Sequence, residues 1–231
     1  MAPLPITSMT FRIHRALAAA ACVALAGCSS EGSDAHLLVQ ALRNAIAGPG
    51  PSKVTLQQAA AIPYASLGVR IGSGSEFLIV LAMDGRHSKL WTAGKTVALQ
   101  TDDGRIVRTS GLAHNLSGVS GDLGAAVSPL DALRQHGGKR ILLYDFADLN
   151  AYSVKTVCRM GTLGSENIQI LGKAIPTTRV EESCRADALG WSFVNTYWVG
   201  AKSGMVWKSV QYIHPRLESV STEILRPPAG E

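Results

Sequence analysis

Cys28 is the residue whose neighbours define its chemistry most closely. It follows Leu25-Ala26-Gly27, and behind these lie an apolar run from Ala16 to Ala26 and the basic residues Arg12, His14 and Arg15. A positive segment stays on the cytoplasmic side. Roughly ten apolar residues then engage the secretion machinery while falling short of the ~20 that span a bilayer as a helix. Small side chains at Ala26 and Gly27 let a peptidase reach the bond before Cys28, whose thiol takes a diacylglycerol. The motif resembles the bacterial lipobox. Ser29 in place of Asp after the cysteine implies, by the sorting rules of such lipoproteins, the outer membrane and its periplasmic face. Residues 1–8 are unusual for a leader, so Met9 is an alternative start. The bland alternative is an apolar first helix that happens to end in cysteine.

Other residues with chemical potential are tested in the same way. Ala93-Gly94-Lys95-Thr96 echoes the end of a phosphate loop, but the leading glycine would fall at Lys89, so a turn feeding a strand is the expectation. Gly72-Ser73-Gly74-Ser75 suits a tight hairpin turn and lacks the nucleophile-elbow pattern. His36, His87, His114, His136 and His214 show no metal-ligand spacing to one another, to cysteine or to an acidic pair, so no metal and no cofactor are assigned. Glu181 and Glu182 are consecutive on an expected strand, which sends them to opposite faces. They cannot act together as a glycosidase pair. One inward glutamate paired with Arg179 or Arg185 is the expectation, and no catalytic residue is assigned.

Cys158 and Cys184 remain in an oxidising compartment once Cys22 and Cys28 are accounted for. A disulfide would contribute on the order of 3 kcal/mol in the chain-entropy model. A plain meander over 152–160, 166–173 and 177–185 would instead put a strand between them, at about 9.5 Å, beyond disulfide reach. Both outcomes stay open, the bland one being two small buried residues.

The most informative stretch is Leu189 to Pro215. Strand alternation puts Trp191, Phe193, Asn195 and Tyr197 on one face, and a turn near Lys202 adds Trp207, Ser209 and Gln211 from the partner strand. Aromatic rings mixed with amides and hydroxyls suit a sugar-stacking or partner surface. They equally suit a hydrogen-bonded core, the commoner use of large aromatics.

These residues need elements to hold them. Removal of residues 1–27 leaves 204 residues and lowers the formal net charge from +5 to +3, without a Lys/Arg cluster, which argues against nucleic acid. Residues 28–33 form a lipidated tether, and 34–226 form one domain. An amphipathic helix is expected over 34–47 and a short one over 56–61, with Thr55 and Gln58 at capping-box spacing. From Tyr64 onward, strands are expected over 65–71, 76–83, 88–92, 96–101, 105–110, 140–146, 152–160, 166–172, 177–185, 190–199, 205–213 and 219–225. A short helix over 129–135 interrupts them. The fold class is therefore mainly β: an antiparallel curled sheet or barrel-like domain with one or two N-terminal helices and a short inserted helix, since closure removes exposed edges.

Asn195-Thr196-Tyr197-Trp198-Val199, then Gly204-Met205-Val206-Trp207-Lys208-Ser209, resemble the YjbF/GfcB group of capsule and exopolysaccharide lipoproteins. Ile62-Pro63-Tyr64-Ala65-Ser66-Leu67, the stretch from Gly104 to Leu112, and Ile170-Leu171-Gly172 fall in the same order, and the likeness covers about 34–226. The loop from Ala113 to Val127 and the cysteine pair depart from it. The resemblance implies a barrel-like domain preceded by helices, at the periplasmic side of the outer membrane, working without catalysis in secretion or assembly of capsular or extracellular polysaccharide. The implied partners are the membrane through Cys28, polysaccharide and export-machinery proteins. A periplasmic carbohydrate-active enzyme and a structural lipoprotein that binds only proteins are the alternatives.

Overall fold

A computed structural model describes residues 52–121, 129 and 138–229. Cys28, the tether, the helix expected over 34–47 and, apart from Pro129, the helix expected over 129–135 lie outside these residues. The first described element is α1, Leu56–Ala60, held by the expected capping box: the Thr55 side chain accepts from the Gln58 amide and the Gln58 side chain accepts from the Thr55 amide.

Twelve strands follow: β1 Ser66–Ile71, β2 Phe77–Asp84, β3 Ser88–Ala93, β4 Val97–Asp102, β5 Arg105–Ser110, β6 Gly118–Gly121, β7 Lys139–Phe146, β8 Ala151–Ile170, β9 Lys173–Ala186, β10 Trp191–Gly200, β11 Val206–Gln211 and β12 Val220–Arg226. They form one antiparallel sheet in the order β5-β4-β3-β2-β1-β12-β11-β10-β9-β8-β7-β6. The first and last strands are therefore neighbours in its middle, and its two edges, β5 and β6, are consecutive in sequence. The connection between them folds back on β5: the Thr109 amide donates to the Leu116 carbonyl at 2.9 Å and the Leu116 amide donates to Thr109 Oγ1 at 2.9 Å. The sheet is a nearly closed barrel, the arrangement that spares most edge groups from water.

Two strand expectations are corrected. The stretches 152–160 and 166–172 are parts of one strand, β8, because Gly161 to Ser165 is not a turn. An extra residue, Leu163, is absorbed in a bulge between Thr162 and Gly164, where Gly164 takes a φ of +125° that an L side chain disfavours. The short β6 has no counterpart among the expected strands, since Gly118-Val119-Ser120-Gly121 carries too little β propensity to stand out.

Alternation sorts the strands into an outer face and a packed interior. Leu67, Val69, Ile79, Trp91, Leu99 and Ile106 fill one side of that interior. Toward the opposite strands Tyr144, Phe146, Trp191 and Phe193 pack as a ring cluster, with Trp191 and Phe193 centroids 4.0 Å apart. The strand directions define two ends. At the entry end the chain enters β1 and leaves β12, and the turns at 85–87, 103–104, 171–172 and 201–205 lie there. The far end carries the turns at 72–76, 94–96, 111–117, 147–150, 187–190 and 212–219. No helix among the described residues is long and apolar enough to cross a membrane.

Candidate functional site

The β10 and β11 residues share one face, as their spacing predicts, and that face is the barrel interior. Asn195, Tyr197, Ser209 and Gln211 are at most 1% exposed, Phe193 is buried, and Trp191 and Trp207 are half-buried. Trp191, Phe193, Asn195, Tyr197, Trp207 and Gln211 thus form no open glycan or partner surface. The sheet curls until β4 and β5 stand across from β9 to β11, a long-range closure that strand alternation alone does not reveal.

Glu182 centres the polar interior. Arg105 Nη2 donates to both of its oxygens at 2.7 Å, Arg140 pairs with Oε1, and Asn195 Nδ2 donates to Oε2 at 3.2 Å. Burial alone would raise the carboxyl, but the two guanidiniums outweigh it and hold Glu182 at about 2. Burial raises Tyr144 to about 12 and pushes Tyr197 up as well, so both stay phenols. The expected partner of the inward glutamate is corrected: Arg179 pairs with the outward Glu181 at 2.9 Å, and Arg185 with Asp187. A carboxylate held this far down cannot serve as a general acid near neutral pH.

Gln211 extends the network toward the entry end. Its Nε2 donates to the Gly104 carbonyl and to Ser209 Oγ, both at 2.8 Å, while its Oε1 accepts from the Ile106 amide at 3.0 Å. Ser209 and Thr222 hydroxyls lie 2.6 Å apart. Gly104 and Thr222 also line a cavity of about 430 Å³ at the entry end, so the polar interior continues into the barrel mouth. The mouth has an apolar wall of Leu67, Met205, Val206 and Ile224 over Trp91, with the Thr101, Thr222 and Ser203 hydroxyls among them. Its rim carries Arg86, His87, Lys89 and Asp103. Lys89 pairs with Asp84 at 3.0 Å and His87 with Asp103 at 3.3 Å.

This shape depends on one turn. Asp103 and Gly104 both take positive φ, 43° and 87°, the requirement of a tight two-residue hairpin of the primed type. A Cβ on Gly104 would stand 2.5 Å from the Val206 Cβ, so glycine lets the turn approach β11.

At the far end three loops bring together residues that sequence spacing kept apart. Asp148 accepts from His114 Nδ1 at 2.8 Å and lies 3.0 Å from His214 Nε2, and the two imidazoles stack with centroids 4.9 Å apart. The donor atoms lie close enough together to suggest a metal site. The proton inventory argues otherwise. The Arg216 amide donates to His214 Nδ1 at 3.0 Å, which places the neutral imidazole proton on Nε2 and leaves that nitrogen no lone pair for a cation. The group is a hydrogen-bonded His–Asp–His clamp. The grouping of Cys158, Glu182 and Cys184 holds no ligand sulfur, because the cysteines are bonded to each other across directly paired positions of β8 and β9.

The twelve antiparallel strands and the mouth at their entry end define a nearly closed β-barrel-like domain. The family model for the group 4 capsule polysaccharide lipoproteins GfcB and YjbF matches residues 39–225, and the chain belongs to that family. It is 25% identical over 208 residues to the lipoprotein GfcB of Escherichia coli (strain K12), covering 88% of this chain and 94% of the relative. The crystal structure of the lipoprotein YmcC from Escherichia coli (K12) superposes with a TM-score of 0.64 at 22% identity, covering 87% of this chain and 98% of that one. An exported protein with a YmcC-like fold from Bacteroides fragilis matches at a TM-score of 0.34 and 10% identity, over 70% of this chain and 93% of that one. The matched family is one of lipoproteins, GfcB of Escherichia coli among them, which points to a membrane-anchored place in the cell envelope.

Proposed function

We propose that the chain is an outer-membrane lipoprotein, anchored through Cys28 on the periplasmic face, that assists secretion or assembly of capsular or extracellular polysaccharide without catalysing a reaction on it. The observation that carries this reading is the mouth cavity, which combines an apolar wall, hydroxyl groups and a charged rim in a member of a capsule polysaccharide family. A pyranose presents an apolar face and a girdle of hydroxyls, so such a lining suits a glycan. The contact is therefore assigned to the mouth instead of the β10–β11 face. A non-catalytic role fits the interior chemistry, since Glu182 is tied up by Arg105 and Arg140.

Deletion of the gene is expected to lower surface polysaccharide, measured by uronic-acid or hexose assay on washed cells. The wild-type chain restores it, and Cys28→Ser, made but not lipidated, does not. Unchanged polysaccharide in a deletion strain grown where the gene is expressed would rule the role out.

A further inference from the structure

We infer that the barrel mouth takes a carboxylate-bearing sugar unit, with its carboxylate on Arg86 and its ring against the wall of Met205, Val206 and Ile224. The inference rests on the glycan-contact reading above and adds the class of sugar. Three observations carry it. The cavity, about 430 Å³, lies in the lower part of the ~300–1,000 Å³ range of small-ligand pockets, on the scale of a few sugar rings at most. Its wall is broken by the Thr101 and Thr222 hydroxyls over Trp91, where an acyl tunnel would be continuously apolar. The third observation concerns charge. Asp103 faces His87 and Lys89 faces Asp84, whereas exposed Arg86 has no ion-pair or hydrogen-bond partner among the described residues. A guanidinium at the lip of such a pocket offers a planar fork that matches a carboxylate through two parallel N–H bonds.

The test is isothermal titration calorimetry of the full-length chain in detergent at low salt, with digalacturonate as the probe and maltose as its uncharged counterpart. Digalacturonate is expected to bind saturably, with affinity falling roughly tenfold in Arg86→Gln, the effect of removing one charge-assisted contact. Arg86→Lys should recover part of the loss, and added salt should weaken binding. Lys202→Gln, in the neighbouring turn but outside the lining, should bind as wild type. Arg86 is exposed, so its replacement leaves the fold intact.

Equal binding of maltose and digalacturonate, or no change in Arg86→Gln, would overturn the assignment. So would an equal loss in Lys202→Gln, which would mean a diffuse basic surface. Uptake of phosphatidylglycerol vesicles through Arg86 without digalacturonate binding would overturn it in favour of a lipid headgroup. Failure of this inference is separable from failure of the export role. A deletion strain that loses polysaccharide, beside a protein that ignores digalacturonate, removes the acidic sugar and keeps the role; the reverse pair of results does the opposite.

Discussion

Glu182 shows how a residue's partners decide what it can do. Arg105, 1% exposed, and Arg140 neutralise it inside the barrel, and breaking a buried pair leaves a charge stranded. Glu182→Gln is expected to destabilise the fold by about 3–5 kcal/mol, read from urea denaturation. The depressed carboxyl also sets a pH window. Its folded value of about 2 lies below the ordinary 4.5, so its stabilisation is complete above about pH 4.5 and is lost as pH falls toward 2, a component that Glu182→Gln should lack. His214 acts at milder acidity. Burial, the largest influence, lowers its pKa from 6.5 against the opposing pull of Asp148, with His114 and Arg216 adding to the lowering. Its stabilisation is therefore complete above about pH 6.5 and declines as pH falls below it. The urea midpoint should drop from about pH 7.5 to about pH 5 in the wild type and less in His214→Gln. Equal slopes for the two proteins would remove His214 as the cause.

Two elements, β8 and the β4–β5 turn, set residues distant in sequence against one another. The bulge at Leu163 keeps β8 continuous, and continuity puts Cys158 directly opposite Cys184, with a Cα separation of 4.1 Å. Replacing both by alanine should cost on the order of 3 kcal/mol, the loop-closure value for a bridge of this span, measured as a shift in denaturation midpoint. The Asp103-Gly104 turn lies close against Val206 of β11 at the mouth. Gly104→Ala combines a disfavoured φ with a Cβ set against Val206, and should destabilise by about 1–3 kcal/mol. An Asp-Gly pair is what such a turn requires of its residues, whereas its closeness to Val206 has no local signal, because nothing in the adjacent sequence links β4–β5 to β11.

For the whole molecule, the sheet order places β1 beside β12 and leaves β5 and β6 to meet as the seam. Side chains reinforce that closure from within. Gln211 on β11 holds the Gly104 carbonyl and the Ile106 amide, and Glu182 on β9 holds Arg105. Gln211→Leu should therefore loosen β5 before other strands, seen as faster amide exchange at Ile106 than at Val180 in the same sample. Uniform acceleration along all strands would mean that Gln211 supports the barrel generally and has no special hold on the seam.

The capping box at Thr55 and Gln58, the β-rich domain and most strand bounds were legible in the amino-acid sequence, because each depends on residue types a few positions apart. The shared face of Trp191, Phe193, Asn195 and Tyr197 was legible for the same reason. Which side of the sheet that face occupies was decided only by the tertiary structure, since curling brings β5 across the barrel to cover it. The same holds for the His114–Asp148–His214 clamp, drawn from three loops, for the direct pairing of Cys158 with Cys184, and for the mouth where Arg86 stands over a wall contributed by distant strands. Alternation and capping are local forces, while closure is set by the packing of the entire sheet.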